Sequence, residues 1–565
     1  MKHRLLTTAA LMIPALAAAQ APNGGAQRMA RDIQTLSSDA YEGRAPDSAG
    51  EVKTIAYLVA QLKAAGVQPG GDVVAGKRGW TQAVPLLKSE IVGAPTLSLN
   101  MATGPMALTQ SEQIAVRAPL NGATSVNLVN APLLFVGYGV TAPERQWDDF
   151  KSVDVRGKIL VMLINDPDFE GGEGDFGGKA MTYYGRWTYK FEEAARRGAA
   201  GVMIVHETAP ASYGWNTVKN SNTNTMFDIV RTNPGASHPV MESWIQRDLA
   251  ERIFAASGTS FEAARAAARR KDFKPIALFP TLNAAYAAKA DVITSYNVAG
   301  MLSGKRRSDE TIIYSAHWDH LGLGQPDANG DRIYNGAVDN ATGVAQVLEQ
   351  ARMFAREPRT DRSVAFLLVT AEEKGLLGSS YYAANPLFAV GKTAAVLNTD
   401  SMGIAGKARD FSMSGNAKFG LLDLVVAEAA RRGRRFSPDA HPEAGHFFRS
   451  DHFPFAKAGV PAISFESGSD LVNGGTARGE ALAKDYIDKR YHQPDDEFAS
   501  TWDYSGMSDD AALLHTVGRD LANSAAWPEW SADSEFRAVR DRTAAERGAA
   551  APQPDAGVVR SGERG

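Results

Sequence analysis

Three features of this sequence predict an α/β protein whose mixed, mostly parallel sheet is sandwiched by helices and interrupted by a β-rich insert. From Ser295 onward, apolar strand-like runs alternate with helix-periodic segments, the pattern of parallel strands joined by helical crossovers. Between about Ala94 and Ala285 the texture changes to short β runs. At 565 residues the chain exceeds one compact domain, so a second unit is expected, and the β-rich stretch supplies it.

Composition narrows the function classes. The chain is 44% hydrophobic and 22% charged, which fits a globular protein with a sizeable core. A net charge of -4 gives no basic surface for nucleic acid or anionic membrane. The sequence has no cysteine, which rules out disulfides and thiolate metal sites, so any zinc must be held by His, Asp and Glu. Lys2, His3 and Arg4 precede an apolar run from Leu5 to Leu16 and a small-residue site, Ala17-Ala18-Ala19. This reads as a secretory signal peptide over residues 1–19, and predicts a periplasmic or secreted bacterial protein. No later segment reaches the ~18 consecutive apolar residues of a spanning helix, so no membrane insertion is expected once the signal is cleaved.

In chain order, two helical segments joined by a polar loop are expected between Met29 and Gly66, with Ile55, Leu58, Val59 and Leu62 sharing a face of the second. Trp80 to Leu86 reads as a strand. In the insert, Thr96–Leu99, Val126–Val129, Leu133–Val140, Ile159–Ile164 and Gly201–Val205 read as strands, with a clear helix at Tyr189–Arg197 and an Ala-rich one at Phe261–Arg270. Thereafter strands are expected at 297–302, 311–314, 363–370, 394–398 and 462–466, and helices at 342–356, 379–384, 419–432 and 509–524. After about Ala544 the composition predicts a disordered tail, 544–565.

The chemistry-bearing residues sit where these strands end. The strand from Thr311 delivers His317, with Asp319 two residues on, and Asp339 stands at the start of the next helix. Carboxyl edges of α/β sheets are where ligands gather, and His317 with Asp339 reads as the start of a two-metal hydrolase site. The next strand runs into Glu372-Glu373, where one carboxylate can bind metal while its neighbour stays free to accept a proton. Alone, such a pair is more often a solvated turn. Two further sites, Asp400 after the following strand and His492 beside an acidic loop, complete a thiolate-free set for two divalent ions. Asp339 is the natural bridge, and Asp319 can accept the other imidazole N–H of His317.

The motifs HWDHLG, NGAVDNATG, TAEEKGLLGS, NTDSMG, FFRSDHFPFAKAGVPAISFES and YHQPDDE, in this order, resemble those of the co-catalytic dizinc exopeptidases, the group of bacterial leucyl-type aminopeptidases and glutamate carboxypeptidase II. Within the insert, Val153–Ile159 and Ala194–Val202 resemble a protease-associated domain. The resemblance implies a zinc exopeptidase fold with a discontinuous catalytic domain (29–93 plus 286–530) around an inserted protease-associated domain (94–285). It implies two zinc ions, one held by His317, Asp339 and Asp400, the other by Asp339, Glu373 and His492. Glu372 is then the general base, and a cis peptide is implied after Asp339. His320 and Asp327–Asp331 become bystanders or cleft wall.

Peptides are the implied substrates, with an aminopeptidase the leading reading, a glutamate carboxypeptidase-like carboxypeptidase or dipeptidase the alternative, and a non-catalytic receptor-like homologue the third. The complete ligand set speaks against the last. Some members of the family carry Tyr before Ser-Asp-His; here Arg449 stands there, a candidate for oxyanion or substrate contact or for a structural ion pair. Met181–Trp187 is dense in aromatics, and either packs locally or overhangs the site, with Tyr184 and Arg186 as candidate substrate contacts. The oligomeric state is left open.

Overall fold

The computed structural model describes residues 23–171, 174–415 and 419–548, so the expected signal peptide lies outside the described residues. Helix α1 (Asn23–Leu36) and helix α2 (Ala49–Ala65) come first. Ser48 caps α2 by accepting from the Glu51 N–H at 3.2 Å, and Gly66, at φ +87°, ends it. Strand β1 (Thr81–Met101) follows, then β2 (Ser125–Phe135), β3 (Ile159–Leu163), helix α3 (Trp187–Arg196), β4 (Gly201–His206), α4 (Trp215–Asn222), β5 (Met241–Gln246) and α5 (Arg247–Ala256). The second half holds β6 (Ile276–Leu302), β7 (Arg307–His317), α6 (Gly343–Ala355), β8 (Arg362–Val369), β9 (Thr393–Thr399), α7 (Gly420–Arg431), β10 (Ala462–Ser467), α8 (Gly475–Lys489) and α9 (Ser505–Asn523).

One large mixed sheet runs through the molecule, with β10, β9, β7, β8, β6, β2, β3, β4 and β5 as successive neighbours. Strands β8, β7, β9 and β10 are mutually parallel, as are β2, β3, β4 and β5. Every residue of β8 is buried, as expected of a parallel strand covered on both faces. Two larger apolar cores flank the sheet. One gathers Ile312, Tyr314, Val344, Leu348, Phe366, Leu397 and Leu514; the other gathers Leu133, Phe135, Val161, Met203, Ile245 and Phe254.

Strand β6 joins the two halves. Its far end pairs antiparallel with β8 (Val298 with Leu368) and its near end with β2 (Ala285 with Asn127). Along its length it also pairs with β1, from Thr281–Asn100 to Val298–Thr81. Residues 93/94 and 285/286 therefore fall inside long paired strands. The expected short runs at Thr96–Leu99 and Trp80–Leu86 are parts of one strand, and α4, β5, α5 and α8 were not expected. Residues Ala544–Arg547 of the expected tail form a 3-10 turn, and residues 549–565 lie outside the described residues. Among the described residues no helix is long and apolar enough to cross a membrane.

Candidate active site and metal centre

Strands β7, β8, β9 and β10 present their carboxyl ends to one cleft of about 2170 Å³, whose other wall comes from the β2–β5 half. His317 is the last residue of β7 and is buried. Its Nε2 stands 3.3 Å from Asp339 Oδ1, 3.4 Å from Asp400 Oδ1 and 3.8 Å from Glu372 Oε2. On the other side of the cluster, His492 Nε2 lies 3.2 Å from Asp339 Oδ2 and 3.0 Å from Glu373 Oε2. The two oxygens of Asp339 thus face two different imidazoles.

Local folding explains these placements. The peptide Asp339–Asn340 is cis, and residues Ala337–Thr342 form one irregular turn ahead of α6. Gly336 opens it at φ +58°; a Cβ there would sit 2.3 Å from the Asp339 carbonyl oxygen and 2.5 Å from the His320 ring. Asp496 accepts from the backbone N–H groups of Val338 and Asp339, both at 3.0 Å. The Asn340 side chain accepts from Gly343 N (2.8 Å) and Ser401 N (3.2 Å), tying the Asp339 turn to the Asp400 turn. Asp400 in turn accepts from Ser450 Oγ at 2.7 Å.

Asp319 does reach His317, by a different atom from the one expected. Its main-chain oxygen, not its carboxylate, is 3.2 Å from His317 Nδ1; carboxylate Oδ1 is 3.8 Å away. That carboxylate instead accepts from Glu372 N at 3.1 Å and so fixes the turn carrying the Glu pair. His320 is no bystander: its Nδ1 is 2.5 Å from Glu373 Oε1, and it groups with Asp339 and Glu373 as a possible metal-holding set.

The residues fit a divalent cation. His317, Asp339 and Asp400 offer ligand atoms within 4.8 Å of one another. His317 Nε2 is buried without a hydrogen bond of acceptable geometry, a lone pair left for a cation. Imidazole and carboxylate donors without thiolate suit zinc. The surroundings of the two adjacent glutamates differ. Burial lifts the Glu372 carboxyl well above the usual range, with Glu373, Asp400 and Asp451 adding to it against the opposing pull of His317. Burial and Asp339 would lift Glu373 too, but His492 and His320 outweigh them and bring it to about 2.

Residues 297–515 match the model of Peptidase family M28. Aminopeptidase YwaD of Bacillus subtilis is 27% identical over 208 residues, 36% of this chain and 40% of that protein. A probable zinc metalloprotease of Pyrenophora teres f. teres is 36% identical over 114 residues, 20% of this chain and 23% of that protein. The chain thus spans well under half the length of these relatives. An aminopeptidase structure from Aneurinibacillus sp. strain AM-1 has 21% identity and a TM-score of 0.50, covering 87% of this chain and 92% of that one, which shows the fold.

Residues 297–515 carry all five expected ligands and Glu372, and the structure brings them together. The three expected substrate contacts divide. Tyr184 donates to Glu144 Oε1 at 2.8 Å and packs on Phe176 and Tyr189, away from the cleft, whereas its neighbour Tyr183 lines it. Arg186 and Arg449 both line the cleft. Arg449 makes no ion pair among the described residues: it donates to the Ala211 carbonyl (3.0 Å) and Ser212 Oγ (2.7 Å) and lies over Tyr213. Arg186 is 8% exposed, has no carboxylate partner among the described residues, and is brought down to about 10, by burial first and by Arg449 next. Two supports of this site carry no sequence signal. Arg44, buried in the polar loop between α1 and α2, donates to the carbonyls of Trp318, Leu36, Asn335 and Gly336 at 2.7–2.9 Å, clamping the His317 and Asp339 loops. Ser221, on α4, lies 2.7 Å from His492 Nδ1.

Proposed function

We propose that this protein is an exported two-zinc aminopeptidase that removes N-terminal residues from peptides. The observation that carries this reading is the split of Asp339, one oxygen toward His317 at 3.3 Å and the other toward His492 at 3.2 Å. His317, Asp339 and Asp400 would hold one zinc, and Asp339, Glu373 and His492 the other. Zinc bound there would acidify an attacking water and polarise the scissile carbonyl. The chain's own part is proton traffic and positioning. Glu372, whose Oε2 stands 3.8 Å from His317 Nε2, takes the proton of the attacking water and passes it to the leaving amine. Asp319 holds Glu372 by its main-chain N–H, Asp496 holds Asp339 in the same way, and Ser450 steadies Asp400.

The organisation proposed with it is a catalytic unit of 29–93 and 286–530 around a protease-associated unit of 94–285, supported by the two separate apolar cores. Export rests on residues 1–19, which read as a signal peptide.

One observation favours a second reading. Arg186 and Arg449 are neighbouring guanidiniums without a carboxylate partner, a receptor suited to a substrate carboxylate. It fits the C-terminus of a short peptide under either specificity, and the acidic terminal residue of a carboxypeptidase substrate. Aminoacyl-nitroanilides assayed beside N-blocked peptides ending in glutamate separate the two. Turnover of the nitroanilides is expected; turnover of the blocked peptides alone would overturn the aminopeptidase reading.

A further inference from the structure

Helix α4, from the β2–β5 half, grips the segment that delivers His492. Asn220 Nδ2 donates to the His492 carbonyl at 3.0 Å, and Thr217 Oγ1 to the Tyr491 carbonyl at 3.4 Å. Lys374, directly after the Glu372–Glu373 pair, donates to the Ser221 carbonyl at 3.1 Å and to Asn224 Oδ1 at 2.7 Å. The same turn of α4 therefore touches both segments that feed the second zinc position. His492 itself sits at φ +56°, a left-handed conformation that a histidine keeps only where its surroundings hold it.

Both ring nitrogens of His492 are occupied from opposite sides. Nε2 faces Glu373 Oε2 and Asp339 Oδ2, and Nδ1 faces Ser221 Oγ at 2.7 Å. When Nε2 offers its lone pair to a cation, Nδ1 carries the hydrogen and donates it to the Ser221 hydroxyl. That bond sets the tautomer and the ring angle of His492. His317 differs: its Nδ1 is served by Asp319, two residues along the same chain segment.

We propose that Ser221 is a positioning residue for His492, so that the inserted half forms part of the second zinc position. Zinc loading at that position and docking of α4 against residues 491–492 then stabilise each other, since coupling between two binding equilibria is reciprocal. The inference rests on the two-zinc reading of the site.

Zinc competition against a chromogenic chelator tests it on the full chain, using the unaltered protein, Ser221→Ala and Ser221→Thr. The unaltered protein is expected to bind two zincs. Ser221→Ala should keep one affinity unchanged and weaken the other by ~10–100-fold, the usual cost of losing the partner of a metal-bound histidine. Ser221→Thr, which keeps a hydroxyl, should recover most of that loss. Amide hydrogen exchange across 215–222 should quicken when zinc is stripped from the unaltered protein, and should change less on stripping zinc from Ser221→Ala. Both zinc affinities within twofold of the unaltered protein in Ser221→Ala, or no recovery in Ser221→Thr, would overturn the proposal while leaving two zincs in place. Fewer than two zincs in the unaltered protein would instead overturn the two-zinc reading, and this inference with it.

Discussion

At the residue scale, the proposed division of labour falls on two adjacent glutamates with different surroundings. Glu373 is pinned between His320 and His492, while Glu372 faces His317 at 3.8 Å. Replacing Glu372 by Gln keeps the shape and removes the proton acceptor. The expected outcome is a fall in kcat of ~10²–10⁴ with zinc content unchanged, measured by steady-state kinetics beside metal analysis. A kcat near that of the unaltered protein would remove Glu372 as base. These residues were legible in the sequence because the chemistry restricts residue type: without cysteine, a zinc site must collect His, Asp and Glu at strand ends. Arg44, Ser221 and the chain oxygen of Asp319 were not legible. A clamp on backbone carbonyls or a hydroxyl beside an imidazole has no required spacing, and its partners are chosen only when distant segments meet. His320 was misjudged for the same reason, since its contact with Glu373 spans two strands.

Elements position these side chains through turns that tolerate little change. Gly336 is the clearest case, combining φ +58° with a Cβ that would strike the Asp339 carbonyl and the His320 ring. Gly336→Ala should lower stability by at least ~1–2 kcal/mol, the cost of the left-handed backbone alone, and should weaken zinc binding as the Asp339 turn shifts. Denaturant titration with zinc measurement checks both; unchanged values in each would contradict the strain argument.

In the other half, His238 sits between Glu242 on β5 and Asp228 on the short strand Met226–Ile229, at 2.7 and 3.1 Å, and Arg117 pairs with Glu242 at 2.7 Å. Burial alone would lower the His238 pKa, but Glu242 and Asp228 outweigh it and lift it to about 9. Its folded value lies above the unfolded ~6.5, so the stabilisation is complete below pH ~6.5 and fades as pH rises through 9. The gap in melting temperature between the unaltered protein and His238→Gln should be wide at pH 6 and narrow at pH 10. An equal gap at both would show that His238 contributes by packing rather than charge. Helix α8 escaped the sequence reading because it buries no residue at all, so no apolar stripe marks it.

On the scale of the whole molecule, strand β6 runs through both halves and makes one continuous sheet of them. The alternation of strands and helices after Ser295 was readable because parallel strands buried on both faces are apolar along their whole length. The long β1–β6 ribbon was not, because Ala285, Ala287, Lys289 and Asp291 on its exposed positions take their strand character from pairing rather than composition. That ribbon and helix α4 bring the β2–β5 half against the cleft, where it supplies Arg186 to the wall and Ser221 to His492.

Everything proposed for this cleft depends on two cations sharing Asp339. Anomalous diffraction at the zinc edge, on crystals grown with zinc, tests that most directly. The account predicts two peaks ~3.5 Å apart, one beside His317 and Asp400 and one beside Glu373 and His492, with Asp339 between them. A single peak, or two peaks that do not flank Asp339, would contradict it.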